Sequence, residues 1–477
     1  MKTRFAPSPT GYLHIGGVRT AIYNWLWAKK NGGQFILRID DTDESRNNSL
    51  ALQPILDGLQ WLGINWDEGP IYQSDRQELY QEWFEYLKHT NAIYQDNGAW
   101  RFNVKHIQSA FCDNCTIKDG LVTIKDMVRG EVSWPIKDLK DPIIVRSDGK
   151  FLYNFATVVD DFSMEITDVL RAEEHLSNTP IQVLLYFACG KFPPKFGHIP
   201  FIRAMKSKKK LSKRDVSEQM SVGVIQQLKL MGFSSDEIKD NPNLNPITIE
   251  YYKALGFLPE AIVNYLIKLG WSPDGYSEKF SIEEAIKMFD VSKISLSSAG
   301  FDPLKLDWLQ KKYMQQVCGP AKQQGAIKAL NKAGVKNVDL EVLDRFLFVA
   351  GDRVKTYSDI VSDGLVYFTD IVHDRAKIKK YIYDSQMVKA LPDFSKLLIE
   401  KQYSTADLSD IGEKFVAGLV GYSSLKTRFF YQAMRVALTN SENGMSPFVS
   451  IFILGVAEAK RRLYLAAQEA GYNAQRE

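Results

Sequence analysis

The chain is poor in cysteine, has no long apolar run and carries almost no net charge, and each shortage excludes a class of protein. Its 4 cysteines among 477 residues follow no regular spacing, which argues against a disulfide-stapled secreted domain and favours a reducing compartment. No apolar run reaches the roughly 18 residues that a membrane-spanning helix needs. A net charge of +3 excludes a global polycation, so any nucleic acid would be held by local basic patches.

The start of the chain predicts the first half of a doubly wound α/β domain. A strand-like run at 2–6 precedes a helix over 19–30, and an apolar strand at 34–39 follows the helix stop at 31–33. Because the first strand begins at once, there is no room for a signal peptide, and we expect a cytoplasmic protein. With 45% apolar and 25% charged residues, the composition is that of an ordinary soluble protein of about three domains.

The turn between the first strand and the first helix has the features of an anion site. Its sequence at 7–17 is PSPTGYLHIGG, and the helix N-terminus that follows presents free backbone N–H groups and a positive dipole end. Gly16 and Gly17 let a ligand approach the backbone closely, and His14 lies at the mouth of the turn. Taken alone, the segment could equally be a structural turn with an incidental histidine.

A lysine-rich segment lies later in the chain, after a predicted strand. It crowds cations between 206 and 214, among them Lys210 and Lys213. Two lysines at this spacing suit a polyphosphate that loses pyrophosphate, because a mobile loop can close on charge that appears only in the transition state. In isolation, the same run favours a solvated basic face or a targeting signal, and its position after a predicted strand and downstream of the His14 turn reverses that preference.

Together and in this order, the two segments resemble the HIGH and KMSKS signatures of class I aminoacyl-tRNA synthetases. Further segments resemble the glutamyl-tRNA synthetase family, and the resemblance covers most of the chain, thinning after about Val317. These segments are 4–11 (RFAPSPTG), 38–43 (RIDDTD), 66–70 (WDEGP), 153–156 (YNFA), 159–161 (VDD), 171–180 (RAEEHLSNTP), 256–261 (GFLPEA), 269–272 (LGWS) and 301–309 (FDPLKLDWL).

The resemblance implies an α/β protein: a doubly wound Rossmann-type catalytic domain with an inserted α+β acceptor-binding module, followed by all-helical C-terminal domains. The pattern does change to short β-like pieces from about Tyr80 to Lys150, and a polar stretch at 234–246 predicts a loop. The expected divisions are residues 1–78 and 151–220 for the catalytic domain, 79–150 for the inserted module, 221–310 for a helical stem-contact domain and 311–477 for a helical anticodon-binding domain.

By the same resemblance, the expected catalytic residues are His14, Lys210 and Lys213. The residues expected to bind ATP are Gly16, Gly17, Glu174, His175, Lys210 and Lys213. The chain departs from the family signatures at two positions, since Gly17 replaces the second histidine of the first and Leu211 replaces the methionine of the second. Residues 177–180 also fit a plain helix N-cap followed by proline, and both interpretations can hold at once.

Selection of glutamate needs a cation for the side-chain carboxylate, and Arg4 and Arg171 are the candidates. An arginine fork matches a carboxylate bidentately, and both residues lie at the ends of predicted strands, where α/β sheets place ligands. The resemblance adds Ser8, Asp40 and Tyr153 to the glutamate site. Many relatives carry Glu where this chain has Asp40, which shortens the reach of the carboxylate towards the amino group. The plain alternative for each arginine is a surface or structural role.

The pair Cys112 and Cys115 invites a zinc site, with His106 nearby in the sequence. Structural zinc needs four ligands, commonly two such pairs, and the chain has no second pair. We therefore expect no zinc. Magnesium is expected only together with ATP, whose phosphates it clamps.

The helical last third offers basic and aromatic side chains that could stack on and bind splayed anticodon bases. Arg353 matches the family segment best, and Arg435 and Arg462 are other basic residues of this region. For any single one of these residues, a solvated helix face is the favoured explanation.

The expected activity is ATP-dependent ligation of glutamate to the 3' end of tRNA(Glu) through a glutamyl-adenylate, by a monomer that does not bind membranes. Whether tRNA(Gln) is a second substrate stays open. Three rivals are an enzyme that glutamylates a modified tRNA base and keeps only the catalytic half, a glutaminyl-specific enzyme with a β-rich C-terminal module, and a non-catalytic tRNA-binding relative. The helical C-terminus argues against the base-modifying enzyme. The sequence PSPTG argues against the glutaminyl enzyme, and the two intact motifs argue against a non-catalytic relative.

Overall fold

The computed structural model of the chain divides into two compact units. The first comprises Met1–Met220 and Lys239–Tyr313, and the second comprises Ser221–Ile238 and Met314–Glu477. The structure describes residues 1–9, 13–42, 49–204, 211, 222–240, 244–382, 385–418 and 427–471. No helix within these ranges is long and apolar enough to cross a membrane.

A parallel sheet forms the centre of the first unit. Strands β1 (Lys2–Phe5), β2 (Gln34–Ile39) and β3 (Glu68–Tyr72) pair in that order, and β11 (Asp168–Ala172) pairs with β12 (Lys195–Ile199). The Thr167 N–H donates to the Lys2 carbonyl at 3.0 Å, which places β11 beside β1. The order β3-β2-β1-β11-β12 is that of a doubly wound fold, whose strand order reverses between β1 and β11.

Helices connect these strands. They are α1 (Ile15–Lys30), α2 (Ser49–Trp61), α4 (Tyr153–Ser163) and α5 (Thr179–Ala188). The strand at 34–39 and the helix end at Lys30 lie where the sequence predicts them, but α1 begins at Ile15, before the expected start at Arg19. The earlier start has a local cause, because His14 caps the first turn.

An inserted module separates β3 from α4. It begins with α3 (Gln77–His89) and continues with two antiparallel sheets, β10-β5-β4 and β6-β7-β8-β9. Their strands are β4 (Ile93–Asp96), β5 (Ala99–Phe102), β6 (Ala110–Cys112), β7 (Cys115–Lys118), β8 (Leu121–Asp126), β9 (Gly130–Pro135) and β10 (Ile143–Val145). The prediction of β-like pieces from Tyr80 is wrong for 80–89, because Tyr80, Phe84 and Leu87 recur at helical spacing and are buried together.

The segment after the lysine-rich run corrects a second prediction. It contains α6 (Val222–Leu230) and α7 (Ser235–Asp240), whereas a loop was predicted over 234–246. The Ser234 N–H donates to the Glu237 carboxylate at 2.7 Å, and the Glu237 N–H donates to the Ser234 hydroxyl at 3.1 Å. This reciprocal capping box starts a short helix within a polar sequence.

The last part of the first unit contains β13 (Ile202–Ala204), which pairs in parallel with β14 (Ala299–Phe301). Of its four helices after residue 248, three lie between these strands in the sequence and the fourth follows β14. These helices are α8 (Ile249–Ala254), α9 (Pro259–Lys268), α10 (Ile282–Met288) and α11 (Pro303–Met314).

The second unit is helical throughout its described residues. Beyond α6 it contains α12 (Gly319–Lys332), α13 (Leu340–Ala350), α14 (Tyr357–Gly364), α15 (Arg375–Tyr381), α16 (Ser385–Leu397), α17 (Thr405–Ala417), α18 (Thr427–Thr439), α19 (Pro447–Leu454) and α20 (Val456–Glu469). Its core includes the fully buried side chains of Phe346, Phe394, Phe430 and Leu463.

Candidate active site

A cavity of about 840 Å³ lies at the carboxyl ends of β1 and β11, where doubly wound sheets bind their ligands. Every predicted ATP or glutamate residue that the structure describes lines it: Arg4, Ser8, His14, Gly16, Gly17, Asp40, Tyr153, Arg171, Glu174 and His175. Lys210 and Lys213 lie outside the described residues, and Arg353 belongs to the second unit. The fold therefore brings residues from widely separated segments to one site.

His14 caps the N-terminus of α1 at one end of this cavity. Its Nδ1 accepts a hydrogen bond from the Gly17 N–H at 3.1 Å. Because Nδ1 is the acceptor, the proton of the neutral ring lies on Nε2. The side-chain N–H then adds to the backbone donors and the positive dipole end of the helix, so this end of the cavity can bind an anion.

The His14 turn is anchored by a segment that the sequence analysis did not single out. His14 and Thr248 form an antiparallel bridge, and the Ile15 N–H donates to the Ile247 carbonyl at 2.8 Å. Thr248 is fully buried, while Ile247 also lines the cavity. The position of the imidazole thus depends on a chain segment far away in sequence, for which the local pattern contains no signal.

A buried cluster of charges lies under the cavity. Arg4 donates from Nε and Nη2 to Asp161 at 3.2 and 3.1 Å, and Arg38 donates to Asp161 at 2.6 Å and to Asp40 at 2.7 Å. Burial alone would raise the pKa of Asp161, but Arg4 and Arg38 lower it below its ordinary value. Burial raises the pKa of Asp40 although Arg38 opposes this. Arg4 and Asp40 both line the cavity, and each is already paired with a charged side chain of the protein, Arg4 with Asp161 and Asp40 with Arg38.

Arg171 is bonded differently. Its Nη1 donates to Gln182 at 2.7 Å, its Nη2 to Thr179 at 2.8 Å and its Nε to His198 at 3.1 Å. In the described part of the chain, these partners are all neutral side chains, and burial lowers the pKa of Arg171. A buried cation without a carboxylate partner is costly, and a ligand carboxylate would remove that cost. Three of its five N–H groups are used, which leaves donors for a ligand.

Tyr153 and His175 line the wall between the two ends of the cavity. The Tyr153 hydroxyl lies 3.2 Å from His175 Nδ1. Burial, followed by the charge of Arg171, lowers the pKa of His175 to about 4, so this ring is neutral at physiological pH. Glu174 is exposed at the rim, and its neighbour Glu173 pairs with Arg129 and accepts from the Phe201 N–H.

The sequence analysis gave no role to Asp160, Asp161 or Arg38, although all three support the site. Asp160 accepts hydrogen bonds from Gln73, Arg76 and Tyr80 at 2.6 to 2.8 Å, which links α4 to the start of the inserted module. A signal was present, because two adjacent acids within the apolar helical run 155–162 must be buried and partnered.

Leu211 connects the lysine-rich segment to the cavity. Its N–H donates to the Ile202 carbonyl of β13 at 2.9 Å, and its side chain lines the cavity. Lys210 and Lys213, one and two residues away in sequence, lie outside the described residues.

Cys112 and Cys115 face each other across the β6–β7 turn and form a disulfide, a pairing that the sequence analysis did not predict. Asn114, between them, donates to the Pro194 carbonyl at 2.8 Å and so fastens the turn. Within the described ranges, no group of three or more His, Cys, Asp or Glu side chains is placed to hold a metal ion. The expectation of no zinc stays a prediction.

In the second unit, the basic residues have different surroundings. Arg462 is buried and donates to the carbonyls of Val366, Leu438 and Thr369, and Arg435 donates to the Met445 carbonyl. These two arginines therefore hold helices together. Arg353 is exposed at the end of a single 3₁₀ turn, Gly351–Arg353.

Comparisons with known proteins cover nearly the whole chain. Residues 1–99, 115–234 and 243–308 match the family described as tRNA synthetases class I (E and Q), catalytic domain, and residues 310–467 match an anticodon binding domain. The chain is 33% identical to a glutamate–tRNA ligase of Coxiella burnetii over 97% of both chains. It is 34% identical to one of Anaeromyxobacter sp. over 98% of both.

A solved structure has the same fold. It is the crystal structure of a glutamate tRNA ligase from Elizabethkingia meningosepticum in complex with its amino acid, with a TM-score of 0.76 and 26% sequence identity. The similarity covers 98% of this chain and 99% of that one.

Proposed function

The chain belongs to the class I tRNA synthetases for glutamate and glutamine, and from this premise we propose that it is a glutamate–tRNA ligase. It joins L-glutamate to the 3' end of tRNA(Glu) with ATP, for protein biosynthesis. Relatives that match nearly the whole chain are named glutamate–tRNA ligases. The helical second unit disfavours a glutaminyl enzyme with a β-rich C-terminal module. The matched anticodon domain disfavours a base-modifying enzyme that keeps only the catalytic half.

One observation carries the proposal: an anion-binding helix end and a buried arginine with neutral partners face the same cavity. The helix end with His14 suits the phosphates of ATP, and Arg171 suits the carboxylate of an amino acid. A site with both features can bring a carboxylate oxygen close to a phosphorus atom, which is the geometry that carboxylate activation needs.

In the first step, an α-carboxylate oxygen of glutamate attacks the α-phosphorus of ATP, and pyrophosphate leaves. The Nε2–H of His14 donates to the phosphate oxygens as charge develops on them, and the N–H groups around Gly16 and Gly17 add to it. Lys210 and Lys213 neutralise the departing pyrophosphate. A magnesium ion bound together with ATP would neutralise part of the phosphate charge.

The glutamate end of the cavity uses Arg171 for the side-chain carboxylate, with Arg4 as the second cation. Ser8 and Tyr153 supply hydroxyl groups, and Asp40 accepts from the amino group of the substrate. Since Arg38 already holds Asp40 at 2.7 Å, the carboxylate is fixed in place before the substrate binds. On the adenosine side, Glu174 and His175 contact ATP.

In the second step, a hydroxyl of the terminal adenosine of tRNA attacks the activated carbonyl, and AMP leaves. The inserted module holds the acceptor end, the helical segment 221–310 contacts the stem, and 311–477 bind the anticodon, with Arg353 as one contact. We propose that the protein is a cytoplasmic monomer. Whether it also charges tRNA(Gln) stays open.

The experiment is ATP–pyrophosphate exchange and tRNA charging with purified protein, glutamate and tRNA(Glu). Charging of tRNA(Glu) with glutamate is expected, whereas a base-modifying enzyme would label a tRNA base and a binding protein would do neither. The variant Lys213→Ala should lower kcat by about a hundredfold or more, with little change in the KM for glutamate, because the lysine acts on transition-state charge.

The matched control is Lys195→Ala, which removes an exposed lysine of β12 from the same unit. It should keep kcat near that of the unchanged protein. Near-normal turnover by Lys213→Ala would remove this lysine from the mechanism, and failure of the unchanged protein to charge tRNA(Glu) would refute the proposed function itself.

A further inference from the structure

A buried aspartate of the inserted module lies next to the amino-acid end of the cavity. Asp126, the last residue of β8, is 4% exposed, and one of its oxygens accepts from the N–H groups of Val128 and Arg129, both at 2.9 Å. The other oxygen accepts from Nδ1 of His198, a residue of β12 that is fully buried. Neither side chain touches the cavity, and the mechanism above assigns neither a role.

The charge states of the pair fix the tautomer of the imidazole. Burial alone would raise the pKa of Asp126, but the hydrogen bond from His198 and the backbone N–H groups lower it, so the carboxylate is charged. Burial lowers the pKa of His198, so the ring is neutral near pH 7. A neutral ring that donates from Nδ1 has an acceptor at Nε2.

Nε2 of His198 accepts from Nε of Arg171 at 3.1 Å, and the Arg171 guanidinium lies 4.9 Å from the centre of the Phe196 ring. With Gln182 and Thr179 on the other nitrogens, the plane of the guanidinium is held from several sides. The bond to His198 is the one that depends on a charge, because Asp126 polarises the imidazole and makes Nε2 a better acceptor.

We propose that Asp126 and His198 are positioning residues for amino-acid recognition, which orient the Arg171 guanidinium towards the carboxylate of glutamate. This inference rests on the proposed function. A protonated or reversed imidazole would point an N–H at Arg171, and the guanidinium would turn away. Because Asp126 belongs to the inserted module, the amino-acid site is completed by a segment outside the doubly wound domain.

The first test is steady-state charging of tRNA(Glu) by the full-length variant Asp126→Asn. We expect the KM for glutamate to rise about tenfold to a hundredfold, the range for a lost hydrogen bond to a charged group. The KM for ATP and the kcat at saturating glutamate should stay close to those of the unchanged protein. Competition between glutamate and glutamine should show a lower preference for glutamate.

The matched control is Glu469→Gln in the second unit, where the exposed Glu469 carboxylate lies 3.1 Å from Nδ1 of a buried histidine, His373, whose Nε2 lies 2.8 Å from the Ala437 carbonyl. This variant should keep the KM for glutamate unchanged. A general loss of stability from breaking a carboxylate–histidine pair would instead affect both variants, and melting curves identify the temperature at which each variant is folded for the assay.

A second pair of variants distinguishes positioning from packing. In His198→Gln the amide oxygen can accept from Arg171, whereas His198→Leu offers no acceptor. The KM for glutamate should therefore rise less in His198→Gln than in His198→Leu. Equal increases in both, or a parallel rise in the KM for ATP, would overturn the proposal.

The two levels of inference fail in different ways. If the unchanged protein does not charge tRNA(Glu), the proposed function is wrong. If it does, and Asp126→Asn and His198→Leu keep the glutamate KM of the unchanged protein, only the positioning role is wrong.

Discussion

Two neighbouring glycines at the start of α1 provide a matched test of the His14 position. A Cβ atom built at Gly16 would lie 3.1 Å from Cε1 and Nδ1 of His14, whereas one at Gly17 would meet its nearest ring atom at 3.7 Å. The first distance is too short for an ordinary contact, and the second is normal. Gly16→Ala should therefore displace the imidazole and lower kcat about tenfold, while Gly17→Ala should cost less.

Helix propensity predicts that both variants gain stability, whereas the contact with His14 predicts that Gly16→Ala loses activity. Alanine stabilises a helix relative to glycine by about 1 kcal/mol, so both variants should melt at or above the temperature of the unchanged protein. The measurement is kcat for charging together with a melting curve. Equal activity in the two variants would show that the imidazole can move without loss of function.

Glu250, in the first turn of α8, is a partly buried acid for which the effect of burial outweighs the charge of Lys253. Its Oε2 is buried and has no hydrogen-bond partner in the described residues, and burial raises its pKa to about 7. A carboxyl whose pKa is higher in the folded state stabilises the fold below its unfolded pKa of about 4.3, and this contribution is lost as the pH rises through about 7.

The variant Glu250→Gln removes this titration. Relative to the unchanged protein, it should gain stability between about pH 5 and pH 8, by roughly 1–3 kcal/mol at the upper end. Urea unfolding followed across this pH range measures the difference. Glu260→Gln, at an exposed position of the neighbouring helix α9, should follow the pH profile of the unchanged protein. A pH-independent difference for Glu250→Gln would show that the acid is not buried in solution.

At the scale of elements, one asparagine joins α1 to the sheet. Asn24 is fully buried, its Nδ2 donates to the Leu170 carbonyl at 2.8 Å, and its Oδ1 accepts from the Leu170 N–H at 3.3 Å. Both backbone groups of Leu170 therefore have a side-chain partner on α1. Leu170 precedes Arg171, which connects this contact to the proposed amino-acid site.

Asn24→Leu should leave both Leu170 backbone groups unpaired, at a cost of about 2–5 kcal/mol. The control is Asn31→Leu at the C-terminal end of the same helix, where the side chain is exposed and bonds only to the Trp27 carbonyl. The free energy of unfolding in urea measures both. If Asn24→Leu costs no more than Asn31→Leu, Leu170 has found other partners.

The sequence alone was sufficient to predict the helix and strand ends that depend on neighbouring residues. The strand at 34–39 and the end of α1 follow from a short apolar run and from the Asn-Gly-Gly stop, and the family resemblance is confirmed by the matched ranges. The helices α3 and α7 were missed, although their signals were present as helical spacing and as a capping box. In α3 the aromatic residues also favour strands, and in α7 the polar residues also favour loops, so the helical signals were not decisive.

The contacts beneath the site could not be predicted in the same way. Most residues that line the cavity belong to motifs, but Thr248, Asp126 and His198 lie in segments without a motif. Their positions follow from the pairing of strands that are far apart in sequence, as in the register of Arg171 with His198 across β11 and β12. A single sequence contains no record of such pairing.

At the scale of the whole molecule, the chain leaves the first unit and returns to it. Residues 221–238 belong to the second unit, while the residues on both sides, up to 220 and from 239, belong to the first. Within the second unit, Gln227 donates to Asp359 at 2.9 Å, and Leu228 and Met231 are buried. The first helix described after the lysine-rich segment, α6, is therefore part of the other unit. Any removal of the C-terminal helices leaves α6 without its packing partners.

The fragment 1–313 tests this arrangement. It should keep ATP binding, because the cavity lies in the first unit, but it should aggregate through the exposed Leu228 and Met231. Replacing both by Ser should make the fragment monomeric in size-exclusion chromatography. In the full chain, the same change should destabilise the protein by at least about 2–5 kcal/mol, because it opens a buried site.

Leu230→Ser is the matched control, since Leu230 lies on the same helix and is 36% exposed. It should alter neither the aggregation of the fragment nor the stability of the full chain. The monomeric fragment should bind tRNA(Glu) more weakly, by about 1–3 kcal/mol for each stacked anticodon base it no longer contacts. A fragment that is monomeric without any replacement would show that α6 is not held by the second unit. One that charges tRNA(Glu) as well as the full chain would show that the helical unit does not bind the anticodon.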